Sequence, residues 1–380
     1  MIYFDNSATT KPYKEVLDSF VKVSTDYFGN PSSLHNIGGQ AEKLLSQARK
    51  QMAELLHVKQ GEVFFTSGGT ESNNLAIKGT ALMYRNRGRH IITTSVEHPS
   101  VREAMEQLKD LGFRITYLPV NYEGRISVDD LEKAICHDTI LVSMIHVNNE
   151  VGTIQPIEEV GSLLKTFPKI LFHVDSVQAV GKIPLEIHKS YIDFCSMSGH
   201  KFHGLKGTGI LYIRDGVMIS PLFSGGNQEW KQRSGTENVA GMVAMAKALR
   251  LTLEEREDHL EEMLEMKSMI IDELKAMNDI YVHTPIEHSA PHIINFSIRG
   301  IKAEVFVHAL EERNIYVSTT SACSSKKKDV SHTLLAMKVS EEIAQSSIRI
   351  SLSYVNTLEE AKYVIKSIKE VVNYLRGVMK

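Results

Sequence analysis

ILFHVDSVQAVGKIPLEIHKSYIDFCSMSGHK, residues 170–201, places two apolar runs on either side of a mixed segment. The first run is Ile170–Asp175 and the second Ile192–Met197. Both are short and largely apolar, as strands buried on two faces are. The first ends on Asp175; the second leads directly into Ser198-Gly199-His200-Lys201. Their separation is that of one crossover unit, so an aspartate and a lysine can reach the same edge of a parallel sheet.

The same alternation extends outward from this stretch. Further strands are predicted at Val63–Thr66, His90–Ser95, Arg114–Pro119, Thr139–His146 and Gly209–Ile213. Segments such as Ser100–Leu111 and Ile157–Phe167 have helical spacing between them. Strands alternating with helices predict an α/β fold whose mostly parallel sheet has seven strands. A helix is then predicted over Leu251–Met277, with Leu260, Leu264, Ile270, Leu274 and Met277 at helical spacing beside a charged face. After it come strands Ile293–Ser297, Tyr316–Ser318 and Ser347–Ser351, and helices Ala303–Arg313 and Thr357–Arg376. These read as a smaller α+β domain. The expected division is a large domain over 14–254, with 1–13 and 255–380 forming the small one.

Composition narrows the class. The chain has 380 residues, which fits two domains rather than one small core. Apolar residues make up 42% and charged residues 23%, as in a soluble globular protein. With 43 basic and 46 acidic residues the net charge is −3, which gives no basic field for direct nucleic-acid binding. No run of apolar residues is long enough for a membrane span, and the start MIYFDNSATTKPY lacks the pattern of a signal peptide. Three cysteines far apart, Cys136, Cys195 and Cys323, argue against a disulfide framework or zinc site and for a reducing cytoplasm.

Five segments could carry chemistry, and each has a plainer reading. Lys201 could form a Schiff base near a phosphate, or be a solvated loop lysine. An amine forms an imine only when neutral, a form that burial or a neighbouring cation favours. Asp175 could face the nitrogen of a pyridine ring and keep it protonated, or cap a helix. Gln178 could donate to a ring hydroxyl. Thr66-Ser67-Gly68-Gly69-Thr70-Glu71-Ser72-Asn73-Asn74, between a strand and a helix, could cradle a phosphate through its glycines, Thr70 and the helix N-terminus, or be a turn. It is neither a P-loop nor a dinucleotide fingerprint. His98, in Glu97-His98-Pro99-Ser100, could stack on a ring and move protons, or be structural. Asn149, in HVNNEVG, could reach a ligand or make a turn. All five lie at the carboxyl ends of predicted strands, where open α/β sheets bind ligands.

In order, TSGGTESNN, EHPS, HVNNEVG, HVDSVQAVGK, SGHKFHGLKG, RSGTEN, TSACSS and SSIRISLS resemble the cysteine desulfurases of the NifS/IscS type, in the class V aminotransferase group. The match runs from Tyr3-Phe4-Asp5-Asn6-Ser7-Ala8-Thr9-Thr10 to about Thr357. The resemblance implies a fold-type I homodimer that uses pyridoxal 5'-phosphate. It puts the Schiff base on Lys201, the ring-nitrogen partner on Asp175, the ring-hydroxyl partner on Gln178 and the stacking acid/base on His98. Phosphate contacts fall on Gly69, Thr70, Ser198 and His200, with Thr236 reaching in from the other subunit. Asn149 and Arg349 fall where the substrate carboxylate binds, and a planar guanidinium fork matches a carboxylate. Arg349 could otherwise be one half of a surface salt bridge.

Cys323, in Ser321-Ala322-Cys323-Ser324-Ser325, reads locally as a small buried residue. The resemblance makes it the persulfide cysteine, taking sulfur from L-cysteine and leaving L-alanine. The following Lys326, Lys327 and Lys328 either favour its thiolate, form a solvated run, or tune which acceptor docks. Thr319 and Thr320 stand where this family often has glycine, and SLSYVNT follows Arg349 without the family's glycine. The chain ends soon after its last helix, at Lys380, without the longer tail of the iron–sulfur desulfurases. The expected acceptor is therefore a tRNA-thiolation sulfurtransferase as readily as an iron–sulfur scaffold. The alternatives are a selenocysteine lyase or another class V aminotransferase of the same fold.

Overall fold

The structure is a computed structural model that describes residues 1–319 and 330–378. Thr320, Cys323 and Lys326–Lys328 lie outside the described residues. After a short strand β1 (Ile2–Tyr3), the chain lays down the seven strands of its large sheet: β2 (Val63–Thr66), β3 (His90–Thr94), β4 (Arg114–Leu118), β5 (Thr139–Ile145), β6 (Leu171–Asp175), β7 (Phe194–Ser198) and β8 (Gly209–Ile213). Their order is β2-β8-β7-β6-β5-β3-β4. Strands β3 to β7 pair in parallel, while β8 runs antiparallel to both β7 and β2. The expected mostly parallel seven-stranded sheet is present, and helices cover it.

The two-residue period of each strand splits its side chains between two cores. Ile92, Val142, Met144, Phe172, Val174, Cys195 and Met197 enter one cluster. Their neighbours Ile91, Leu141, Leu171 and Phe194 enter another, on the opposite face. A strand packed on both faces must be apolar throughout, which is why these runs stood out in the sequence. Each fully buried aliphatic or aromatic side chain contributes about 1.5–3 kcal/mol. From β3 the chain moves outward to β4 and returns to β5, then moves the other way to β6 and β7. The loops after β3 and β5 therefore diverge, opening a crevice at the carboxyl edge.

The remaining strands are β9 (Ile280–Val282), β10 (Ile293–Ile298), β11 (Ile315–Tyr316), β12 (Ser318–Thr319) and β13 (Ser347–Ser351). An antiparallel sheet has the order β12-β13-β10-β9, and β11 instead pairs with β1. The single strand expected at Tyr316–Ser318 is thus two short strands in different sheets. Phe4, Phe296, Phe306, Ile348 and Val372 share one core here, so the N-terminal segment packs with the C-terminal part.

The helix expected from Leu251 begins twelve residues earlier and spans Val239–Lys275. Asn238 caps it, its side chain accepting from the Gly241 N–H at 3.0 Å. Its opening turns, Val239-Ala240-Gly241-Met242, are all buried and so lack the polar face that helical periodicity needs. Met242, Met245 and Leu249 pack under the large sheet, whereas Met263, Met266, Ile270 and Leu274 pack in the smaller core. No helix among the described residues is long and apolar enough to cross a membrane.

Candidate active site

Asp175 is the last residue of β6 and is 3% exposed. Both of its oxygens are bonded: Oδ1 accepts from the Val177 N–H at 3.0 Å, and Oδ2 from Asn73 Nδ2 at 2.7 Å. Asn73 lies in the helix Gly69–Tyr84, which crosses the sheet, and also donates to Ser100 Oγ at 2.9 Å. His98 stands two residues from Ser100 and caps the helix Pro99–Asp110. Its Nδ1 accepts from the Ser100 N–H at 3.1 Å and is 2.8 Å from Ser100 Oγ. Burial lowers the His98 pKa; Asp175 opposes that shift, while Lys201 and Arg102 add to it.

Lys201 ends a single 3-10 turn, Gly199–Lys201, directly after β7. Its ammonium donates to the Ser7 carbonyl and, at 2.9 Å, to the Ala8 carbonyl. Gln178 Nε2 donates to the same Ser7 carbonyl at 2.9 Å. Thr10 N–H bonds the His200 carbonyl at 2.9 Å, and Ser7 N–H bonds Ser351 Oγ at 2.8 Å. The N-terminal segment thus lies across the sheet edge and ties it to β13. Below, the wholly buried Lys182 donates to the Lys201 carbonyl at 3.0 Å. Burial, with the Lys201 charge adding to it, brings the Lys182 pKa down to about 8.

A cavity of about 460 Å³ opens beside His200, lined by Thr9, Gly68, Gly69, Thr70, Ser198 and Lys206 and by Glu71, whose carboxylate is paired with Arg233 at 2.8 Å. Its wall requires glycine. Gly68 has φ +150°, and a Cβ on Gly209 would lie 2.5 Å from the Gly68 Cα. A Cβ on Gly69 would come within 2.7 Å of Val177 Cγ2. Gly68 gives the helix Gly69–Tyr84 no side-chain cap, and first-turn N–H groups attract anions. Burial, then Lys201 and Lys206, push the His200 pKa down to about 4, so its ring is a neutral partner at pH 7. Small polar donors, a helix N-terminus and the Lys206 cation suit a phosphate group.

Arg349, in the middle of β13, is 5% exposed. Its Nη1 donates to the Asn149 carbonyl at 2.8 Å, and its Nη2 pairs with Asp5 Oδ1 at 2.9 Å. Its Nε is buried with no hydrogen-bond partner among the described residues. Burial raises the Asp5 pKa, opposed by Arg349 and more weakly by Lys201. Arg349 is therefore no surface salt bridge.

The structure thus brings Lys201, Asp175, Gln178, His98, Ser198, His200, Gly69 and Thr70 to one sheet edge. Asn149 and Arg349 join it from the side. Thr236 is exposed and does not line the cavity, and Cys323 lies outside the described residues. A model that describes the aminotransferase class-V family matches residues 2–364. The chain belongs to that family. It is 50% identical over its whole length to the "NifS/IcsS protein homolog" of Lactobacillus delbrueckii subsp. bulgaricus, covering 99% of that protein. It is 43% identical to the "Cysteine desulfurase IscS" of Dictyoglomus turgidum, covering 99% of this chain and 96% of that one. A solved "NifS-like protein" superposes with a TM-score of 0.93 at 41% identity, over 98% of this chain and 99% of that one. The fold is that of these enzymes.

Several residues around this site had no role in the sequence reading. Asn73, Asp5 and Lys182 each lay inside a quoted motif, but their partners come from distant segments. A second cluster, His90, Cys136 and Asp138, sits at the opposite edge of the sheet. There the Arg114 guanidinium donates to Cys136 Sγ at 3.0 Å and to Asp138 at 2.9 Å, occupying with its own charge the place a cation would need.

Proposed function

We propose that the protein is a pyridoxal-phosphate-dependent cysteine desulfurase that converts L-cysteine to L-alanine and passes sulfur through Cys323 to an acceptor protein. The observation that carries this reading is the meeting of two unlike cations on one short segment, Asp5–Ala8. Lys201 bonds the Ser7 and Ala8 carbonyls, and Arg349 pairs with Asp5 while one buried N–H finds no partner among the described residues. An α-amino acid needs such a pair: a lysine on the amine side and a guanidinium for the carboxylate.

In this reading Lys201 would hold the cofactor covalently, Asp175 would face its ring nitrogen, Gln178 its ring hydroxyl, and His98 would lie against the ring. Gly69, Thr70, Ser198 and His200 hold the phosphate, with Thr236 of a second copy. The exposure of Thr236 supports that reach. When bound, the cofactor would supply an electron-withdrawing ring that makes the substrate Cα–H more acidic. Arg349 and Asn149 orient the substrate by its carboxylate. Lys201 takes the Cα proton once its amine is neutral. The Cys323 thiolate attacks the substrate sulfur, a new S–S bond forms as the Cβ–S bond breaks, and Cβ is protonated to give alanine. One thiol and one cysteine thus become a persulfide and alanine, with no external oxidant.

The division at residues 14–254 against 1–13 and 255–380 belongs to the same proposal; two separate cores joined by one long helix support it. So do a homodimer, a cytoplasmic setting, and an iron–sulfur scaffold or tRNA-thiolation sulfurtransferase as acceptor. The test is alanine and persulfide production from cysteine by the cofactor-loaded protein. Wild type is expected to make both, and Cys323→Ala to lose persulfide. Full persulfide transfer by Cys323→Ala would remove that residue from the pathway. Activity on selenocysteine but not cysteine would replace the desulfurase reading with a lyase.

A further inference from the structure

The Asp175 carboxylate and the His98 ring lie on different elements, β6 and a helix N-terminus, yet one hydrogen-bond chain joins them. Asn73 is 1% exposed and stands between them. Its amide orientation follows from chemistry. Asp175 Oδ2 at 2.7 Å only accepts, so the atom facing it must be Nδ2. The amide Oδ1, pointing the other way, has no partner among the described residues, so Asn73 serves here as a donor. Its second N–H goes to Ser100 Oγ at 2.9 Å.

That donation orders the next link. Ser100 Oγ accepts from Asn73, which leaves its own hydrogen for His98 Nδ1, 2.8 Å away. The Ser100 backbone N–H also points at Nδ1, at 3.1 Å, and a backbone N–H can only donate. Nδ1 therefore carries a lone pair, and the proton of the neutral ring sits on Nε2.

We infer that Asn73 and Ser100 form a relay that orients the Asp175 carboxylate and fixes His98 in the Nε2–H tautomer. Neither is a catalytic residue; both are positioning residues that act through Asp175 and His98. The inference rests on the proposed desulfurase reading for its consequence. Nε2 already bears a proton and Nδ1 is engaged, so the neutral ring serves as a hydrogen-bond donor. Removal of the substrate proton then falls to Lys201. The burial that disfavours the charged His98 ring acts in the same direction.

The relay is tested on full-length protein labelled with [15N]histidine, with His98→Gln assigning the His98 ring signals. In cofactor-free wild type the expected signals are a bare Nδ1 and a protonated Nε2. Ser100→Ala removes the hydroxyl donor but keeps the backbone N–H, so the His98 Nδ1 signal should shift while Nε2 stays protonated. In the loaded enzyme, Asn73→Ala should lower kcat about 10- to 100-fold, the worth of one hydrogen bond to a charged group. The KM for cysteine should stay within about threefold, because the carboxylate site is untouched. Asn73→Gln should restore less than the native residue, since its longer arm cannot reach both partners.

A protonated Nδ1 in wild type would overturn the relay, as would a folded Asn73→Ala enzyme with wild-type kcat. If Asn73→Ala does not fold, the Ser100→Ala spectrum decides: unchanged His98 signals defeat the inference. A wild type that neither binds pyridoxal phosphate nor makes alanine would defeat the functional reading. The tautomer, read on cofactor-free protein, would still decide the relay.

Discussion

Two charged groups at the site are held in opposite ways. Asp175, at the end of β6, has donors on both carboxylate oxygens. Arg349, in β13, has partners for Nη1 and Nη2 but, among the described residues, none for its buried Nε. An unmet buried donor costs about 1–3 kcal/mol, so the second arrangement persists only where something else repays it. The Asp175 carboxylate has a donor on each oxygen, as suits a group held through every turnover. The β13 side is one partner short, as suits a carboxylate that arrives and leaves. Preorganisation and deficit are thus divided between these two groups.

The comparison breaks most severely at Lys201, which bonds to the strap joining both regions. Lys201→Ala should lower alanine formation by at least about 10²- to 10⁴-fold, the range for losing a positioned proton-transfer group. The covalent absorbance of bound pyridoxal phosphate should vanish with it. Retention of that absorbance would show that another amine holds the cofactor.

Arg349→Lys sharpens the comparison rather than breaking it. Lysine keeps the charge but loses the planar fork, so the carboxylate loses paired hydrogen bonds. The expected result is about a 10- to 100-fold fall in kcat/KM, mostly in KM, with pyridoxal phosphate binding unchanged. A fall confined to kcat would mean that Arg349 acts on the reacting centre and not on substrate binding. Double substitution with Asp5→Asn should be non-additive, since the two side chains pair directly.

The same division runs through what the sequence made legible. Six strands of the large sheet are buried throughout and read as short, largely apolar runs, as in Thr139–Ile145, whereas the edge strand β4 is buried only at Leu118. The strand-end places of Asp175, Lys201 and His98 follow from those runs. The start of the long helix did not, because Val239–Leu249 is packed too fully to show a polar face. Strands β11 and β12 did not either, being two residues each and separated only by Val317. Partnerships were the least legible. Asn73 with Asp175, and Asp5 with Arg349, join residues from remote parts of the chain, and no local pattern encodes them. The side of the site built from one sheet edge was readable; the side assembled across segments was not.

The smallest expected effect concerns the footing of the Asp175 side. Glu97, next to His98, is buried between β3 and β5. Its Oε1 accepts from Thr94 Oγ1 at 2.7 Å and from the Ile145 N–H at 2.9 Å, and its Oε2 has no partner. Burial raises its pKa to about 8; the two hydrogen bonds oppose the shift, and the nearby Asp175 charge adds to it. The folded protein therefore keeps this proton up to about pH 8, whereas the unfolded chain releases it above about pH 4.3. Between those values the folded state binds more protons, so Glu97 makes stability fall as pH rises. Glu97→Gln keeps an oxygen for Thr94 and Ile145 and removes the titrating proton. Its melting temperature, compared with wild type, should gain more at pH 8 than at pH 5. An equal change at both pH values would mean that Glu97 is ionised in the fold, and that the Asp175 side contains a second buried carboxylate.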